Sequence, residues 1–354
     1  MTSVKNPSRL LVKTAQKLFS DPAEREKFVT ALTDPNPPPP HIVWLKERPG
    51  TTDQRPRTTD YGPQTTDQEP WTKNELQVTG PWSVVHGLNF FDVEVLPKDA
   101  EPGKDPLHEQ GFYYCMDPSS IAALSVLAGI DFKVPGPWSV VPGPVLVDLC
   151  SAPGGKGILA WHRFRPEIAL FNEVIRKRIS PLIYNLKRCG VLNGVVTQMD
   201  PQKLSEKIPS TASLVLVDAP CSGQSLLARG ESAPGCFHPV LIKRCSGRQK
   251  RIVACAGRLV APGGYLAYMT CAFSREENEE VVEWFLKKNA HFMPVAVPSL
   301  ALFQSHLSEI PCYRFWPHRG AGSGSFAALL KNRREGYLGE IDVDSLRTVW
   351  RTGY

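Results

Sequence analysis

Two short motifs set a thiol just beyond an apolar run: DAPCSG, where Cys221 follows Asp218 by three residues, and TCAFSREENE, where Cys271 follows Thr270 directly. A cysteine attacks carbon only as its thiolate, so what surrounds it decides whether it can react. Ser274 and Glu277 have the S-x-x-E spacing of a capping box, which predicts a helix N-terminus just past Cys271 and a dipole that favours the anion. A lone cysteine is most often a small buried hydrophobe, and the remaining scattered thiols are read that way. The nine cysteines are odd in number and form no C-x-x-C pair, as expected of a chain from a reducing compartment. Cys236, His238 and Cys245 lack the close paired spacing of a zinc site, and no metal is expected.

A second constellation suits a nucleoside. The segment DLCSAPGGKG (148–157) follows an apolar run, and its Gly154 and Gly155 let the backbone turn sharply and approach a ligand. A helix predicted from about Ile158 would offer unpaired N–H groups behind them. The spacing is neither G-x-G-x-x-G nor a Walker loop, since Gly157 follows Lys156. Glu173 closes the next apolar run and can accept hydrogen bonds from both hydroxyls of a ribose. Asp200 closes the third and suits an adenine amino group; Asp218 closes the fourth. Each acid alone fits a solvated strand end, but acids at successive strand ends fit a ligand site.

These residues require a scaffold. From Val145 onward VLVDLC, IALFNE, VVTQMD, SLVLVD and YLAYMT alternate with helical patterns, which predicts an α/β fold with a doubly wound, Rossmann-like parallel sheet. Ligands of such sheets sit at the carboxyl ends of the strands, where the motifs lie. Upstream, residues 1–20 form a basic, acid-free amphipathic helix. A second helix starts with Asp21 as cap, Pro22 at its first position and Glu24 completing a D-x-x-E box, and ends before Asp34. Pro37 to Pro40 break the pattern, and HIVWL (41–45) reads as a strand of a small α+β unit.

Residues 51–71 repeat with a seven-residue period (Thr51, Thr58, Thr65; Asp53, Asp60, Asp67; Pro56, Pro63, Pro70), and GPWSVV occurs at 80–85 and again at 136–141. One tandem DNA heptamer, read on its two strands, yields both patterns, so they are read as repeat insertions in surface loops, tolerated because lengthening a loop costs little. The organisation expected is helices and first strand of a small leading unit (1–48), the repeat insertion (49–79), the remainder of that unit (80–114), a doubly wound α/β domain (115–333) and a C-terminal tail (334–354).

Taken together, DLCSAPGGKG, NEVIRKRISPLIYNLKRCG, DAPCSG, TCAFSREENE and RFWPHRGAGSGSFAALLK resemble, in order, the motifs of the Sun (NSUN or RsmB-like) family of RNA cytosine-5 methyltransferases. The resemblance covers residues 112–331. It implies S-adenosyl-L-methionine as cofactor, contacted by Cys150, Ser151, Ala152, Pro153, Gly154, Gly155, Lys156, Glu173, Arg178, Asp200 and Asp218, with backbone rather than thiol from Cys150. It also implies Cys271 as the nucleophile that adds to carbon 6 of cytosine, Cys221 as the thiol that assists product release, and Asp218 as the hydrogen-bonding partner of the base. Arg314, Pro317 and His318 are implied around the base pocket. Gln224 and Ser225 depart from the family's PCSGxG pattern, and Ala272 stands where serine is frequent; no reacting atom is lost.

The net charge of +6 suits a phosphate-bearing partner but does not require one. Lys243, Arg244, Arg248, Lys250 and Arg251 give a basic stretch beside the motifs, and the family's small leading domain implies RNA binding by residues 10–112. Ribosomal RNA is the expected substrate and transfer RNA the alternative. A DNA cytosine-5 methyltransferase would use the PC thiol as nucleophile, which the TC motif disfavours, and a catalytically silent RNA-binding or ribosome-assembly protein would not need every reacting side chain. No apolar run is long enough to span a bilayer. A cytoplasmic monomer is expected, with the basic N-terminus also matching the composition of an organelle transit peptide.

Overall fold

The computed structural model describes residues 7–47, 90–131 and 144–352. The repeat at 51–71, both copies of GPWSVV and the first six residues of the basic N-terminus lie outside them. Ser8 accepts from the Leu11 amide to start helix α1 (Arg9–Leu18), and Asp21 accepts from the Ala23 amide to start α2 (Pro22–Thr33). The expected D-x-x-E box does not close, because Glu24 turns instead to His318 and Arg319. Strand β1 (His41–Trp44) pairs antiparallel with β2 (Val93–Val95) on one side and β3 (Tyr113–Cys115) on the other, a three-stranded sheet of its own. The α1–α2 hairpin packs elsewhere, in a cluster with Ala228, Cys236, Phe237, Phe273 and Trp316. After β2 come the short α3 (Pro106–Glu109) and, after β3, α4 (Pro118–Leu124), each capped by an aspartate with proline following.

The large sheet is built by alternation: β4 (Val145–Asp148), α5 (Gly155–Phe164), β5 (Ile168–Asn172), α6 (Arg176–Arg188), β6 (Gly194–Thr197), α7 (Pro201–Lys207), β7 (Ala212–Asp218), α8 (Pro239–Leu259) and β8 (Val260–Thr270). These strands are parallel in the order β8-β7-β4-β5-β6. Because successive side chains of a strand point to opposite faces, the near-continuous apolar runs feed two cores. Leu146, Leu214, Leu216, Ala267 and Met269 join α4, α5 and α6 in one; Val145, Val147, Val215, Val217 and Tyr268 join α7, α8 and the later helix α9 (Glu279–Lys288) in the other. The fold is thus the doubly wound α/β sheet expected.

Antiparallel strands extend both edges. Beyond β8 lies β11 (Ser325–Asn332), flanked by β9 (Phe292–Pro294) and β10 (Tyr313–Phe315). At the far edge β12 (Thr348–Arg351) pairs with β6, so residues read as a tail supply a strand. Its short apolar pattern carries no mark of its own, and pairing with the open edge of β6 gives it its conformation. The helix after the cofactor loop starts at Gly155 rather than near Ile158: Gly154, at φ +114°, makes the turn before it, and the Gly154 carbonyl already accepts from Ile158. No described helix is long and apolar enough to cross a membrane.

The chain crosses the sheet twice from β4, outward through β5 and β6 and then back to β7, so β4 is the switch point at which such sheets bind ligands. The 48–89 segment, in contrast, joins strands that already meet, with the Trp44 amide on the Asp92 carbonyl at 2.9 Å. Deleting residues 51–72 is expected to leave the chain folded, with a change in urea-unfolding free energy below about 1 kcal/mol. A substantially larger loss would mean that this segment packs on the folded body.

Candidate active site

Loops from the carboxyl ends of β4, β5, β6, β7 and β8 converge, and buried polar side chains join them. Asn172, fully buried, donates to the carbonyls of Leu149 (3.3 Å) and Met199 (3.0 Å) and accepts from Thr197 (2.9 Å) and the Met199 amide (3.0 Å). It ties the ends of β4, β5 and β6 together. The sequence reading passed over it for its neighbour Glu173, although an amide ending an apolar run was a usable signal.

On the β5 side of β4 is a cradle. Gly154 has no Cβ to obstruct its left-handed turn, and a Cβ on Gly155 would fall 2.5 Å from the Met116 methyl, one on Gly157 2.6 Å from the Asp148 carboxyl. Glu173 is buried; its Oε1 accepts from the Ile175 amide at 2.8 Å, and its Oε2 faces Arg178 at 3.2 Å but makes no hydrogen bond. Ser151 Oγ is likewise buried and makes no hydrogen bond of good geometry, with the Asp148 carboxyl beside it. Unsatisfied buried oxygens beside a glycine turn and a helix N-terminus are what a polyhydroxylated, carboxylate-bearing ligand would complete. Arg178, its side chain partly exposed, donates to the Ala152 carbonyl and so holds the loop. Asp200 is exposed and caps α7, its Oδ1 accepting from the Gln202 amide at 2.9 Å. Beneath the loop Asp148 is wholly buried, and burial first, then the Asp218 charge, pushes its carboxyl up to about 7.

Across β4, Lys156 leaves the cradle and sets its ammonium 2.8 Å from Asp218 Oδ2. Burial is the largest single influence and disfavours that ammonium, but the Asp218 charge and hydrogen bond, with the Cys271 and Asp148 charges, together outweigh it and raise the pKa. The Cys221 and Cys271 sulfurs, from loops after the adjacent parallel strands β7 and β8, are 2.9 Å apart. Either sulfur can donate to the other; with Cys271 as the acceptor, the bond lowers the Cys271 pKa against burial and Asp218, and Ser225 and then Lys156 add to the effect. The same bond, with burial and Glu277, pushes Cys221 well above the usual thiol range. The Glu277 charge at Cys221 and the Ser225 and Lys156 contacts at Cys271 favour the anion at Cys271, while the Asp218 charge opposes it.

The expected helix dipole does not contribute, because α9 begins at Glu279 and the Ser274 hydroxyl caps nothing. That hydroxyl donates to Glu277, whose buried carboxylate also accepts from the Ser222 amide and hydroxyl (2.8 and 2.6 Å) and from Gln249 (3.0 Å). Glu277 thereby ties both cysteine loops to α8. Asn278 accepts from Thr270 (2.6 Å) and donates to the Ala272 carbonyl (2.9 Å), bracketing Cys271. Gln224, at the departure from PCSGxG, accepts from the Phe273 and Ser274 amides at 2.6 and 3.0 Å. None of these contacts is readable from spacing. Arg314 and His318 are each held by a glutamate: Arg314 is buried on Glu279 at 2.5 Å, and His318 pairs with Glu24 at 3.0 Å. Pro317 opens the short turn that carries His318.

Residues 140–331 match the family model described as 16S rRNA methyltransferase RsmB/F. Ribosomal RNA small subunit methyltransferase F of Cronobacter sakazakii is 30% identical over 214 residues, 60% of this chain and 42% of that protein. Its namesake in Shewanella amazonensis is 29% identical over 240 residues, 67% of this chain and 49% of that protein. The chain thus spans less than half the length of these curated relatives. Among solved structures, NSun6 from Pyrococcus horikoshii, determined with SFG, superposes with a TM-score of 0.63 at 19% identity, covering 93% of this chain and 99% of that one. A methyltransferase homolog from the same organism gives 0.57 at 20%, covering 92% and 99%.

Two consequences are measurable. Asp148 binds its proton more tightly folded than unfolded, so its contribution to stability is complete below about pH 4 and is lost as pH rises towards about 7, a decline on the order of a few kcal/mol. Asp148→Asn should flatten that decline in urea titrations of the ligand-free protein; an unchanged slope would show that the carboxyl is not its source. Glu277→Gln turns an acceptor into a donor that faces donors, and should cost about 1–3 kcal/mol. A variant as stable as the parent would mean that the carboxylate does not hold the two loops.

Proposed function

The chain belongs to the family of 16S rRNA methyltransferases RsmB/F, and from that premise we propose that it transfers a methyl group from S-adenosyl-L-methionine to carbon 5 of a cytosine in RNA, ribosomal RNA ahead of transfer RNA. The observation that carries this reading is the 2.9 Å approach of Cys221 and Cys271 beside the Lys156–Asp218 ion pair. A single activated thiol fits many reactions, whereas two thiols of opposed pKa suit one that must form and then break a carbon–sulfur bond.

Carbon 5 of cytosine is too poor a nucleophile for a methyl sulfonium. The Cys271 thiolate adds to carbon 6, and the displaced electron pair makes carbon 5 the nucleophile. Asp218, oriented by Lys156, accepts a hydrogen bond from the exocyclic amine, or from ring nitrogen 3 once solvent has protonated it, and stabilises the polarised base. S-adenosylmethionine, when bound, supplies the electrophilic methyl. Glu173 would hold its ribose, Asp200 its adenine, and the turn from Cys150 through Gly155 its amino-acid end. Loss of the carbon 5 proton then returns the electron pair and expels the Cys271 thiolate, with Cys221 beside the breaking bond. An unstacked base must enter this cleft, and Lys243, Arg244, Arg248 and Arg251, all exposed on α8, suit the phosphates around it.

The test is purified protein with labelled S-adenosylmethionine and total RNA, followed by nucleoside analysis. The wild type should make 5-methylcytosine. Cys271→Ala should make neither product nor covalent adduct, while Cys221→Ala should accumulate a protein–RNA adduct. An adduct that survives loss of Cys271 but not of Cys221 would reverse the assignment. Absence of 5-methylcytosine from every RNA would leave a binding protein that has kept the fold.

A further inference from the structure

We propose that the α1–α2 hairpin is a positioning element of the nucleophile loop, acting through Phe28 on Phe273, two residues beyond Cys271. The inference rests on the reading of Cys271 as the nucleophile. It gives the first helices a task other than contact with RNA.

Phe28 is fully buried and meets the Phe273 ring edge-on, with centroids 5.1 Å apart, and the Trp316 ring at 5.7 Å. Phe19 of the same hairpin lies 4.7 Å from Trp316 and 5.4 Å from Phe28. Phe273 is held on every other side as well. Its amide donates to Gln224, its carbonyl accepts from Arg314 at 2.8 Å, and its ring lies where a Cβ on Gly324 would be 2.5 Å away. With the backbone fixed by two hydrogen bonds and the ring wedged by aromatic neighbours, the residues between Thr270 and Ser274 have little freedom.

The polar contacts of the hairpin converge on the same region. Glu24 bonds Arg319 at 2.8 Å and His318 at 3.0 Å, the Leu18 carbonyl bonds His306 at 2.7 Å, and Lys17 faces Glu276 at 3.8 Å. The hairpin's buried residues belong to neither sheet core. Loosening it should therefore disturb the loop while both cores stay intact. Displacement of a reacting group by a fraction of an ångström is costly, because the barrier depends steeply on alignment.

Phe28→Ala should lower kcat for 5-methylcytosine formation about tenfold or more while KM for RNA changes little. The pH midpoint of iodoacetamide alkylation at Cys271, read by peptide mass spectrometry, should move up as the Cys221 hydrogen bond loosens. Phe28→Leu, which keeps most of the volume, should restore most of both. A rise in KM with an unmoved alkylation midpoint would overturn the proposal in favour of an RNA-contacting hairpin. If Phe28→Ala does not fold, Glu24→Gln should shift the midpoint in the same direction by a smaller amount, and no shift would overturn the proposal. Alkylation needs no RNA, so a protein that methylates nothing would sink the proposed function and leave this inference to be judged separately.

Discussion

Glu277 is a carboxylate taken entirely out of water, and such a group is tolerated only when hydrogen bonds replace its hydration. Its donors come from three places: Ser222 beside Cys221, Ser274 beyond Cys271, and Gln249 on α8. No one element satisfies it, so it favours the single arrangement in which both cysteine loops are seated. The sulfur–sulfur approach of 2.9 Å is a consequence of that closure. Adjacent parallel strands bring two loops near each other, and the buried Glu277 and Gln224 acceptors, with the Ser225 amide on the Cys271 carbonyl, set them at hydrogen-bonding distance.

The sheet topology divides the labour around β4. On the β5 and β6 side the strand ends carry Glu173 and Asp200 beside a glycine turn; on the β7 and β8 side they carry Asp218 and the two thiols. Lys156 crosses between them, since it grows from the first turn of α5 and ends on Asp218. One helix start thus serves the cradle with its backbone and the reacting pair with its side chain. Asn172 and Glu277 perform matching tasks on the two sides, each a buried polar group whose partners lie on different loops.

The α1–α2 hairpin shows how a segment can look like an accessory and fold as part of the core of a site. Its basic exposed face suggests a partner, and its apolar face, through Phe19 and Phe28, lies on the loop beyond Cys271. The two faces are compatible, because an amphipathic helix presents one to the body and the other to solvent.

The sequence by itself determined the alternation of apolar runs and helices, and hence the doubly wound sheet. It also determined which residues fall at the strand ends, because a strand end is marked locally by the step from Val or Leu to Asp, Glu or Cys. The capping Asp21 before Pro22 was legible for the same reason: a cap bonds its own next turn. Where both partners lay far apart in the chain, spacing misled. Glu24 and Glu277 each stood three residues after a plausible cap; neither box closes, Glu24 going to His318 and Arg319 and Glu277 taking Ser222 and Gln249, brought near by tertiary packing, besides the Ser274 hydroxyl. The direction of the thiol pair, the ties made by Asn172 and Gln224, the edge strand β12 and the seat of the first two helices were likewise decided only in three dimensions. A buried polar group takes whichever partner spares it from being left unpaired, and that partner is chosen by the whole fold.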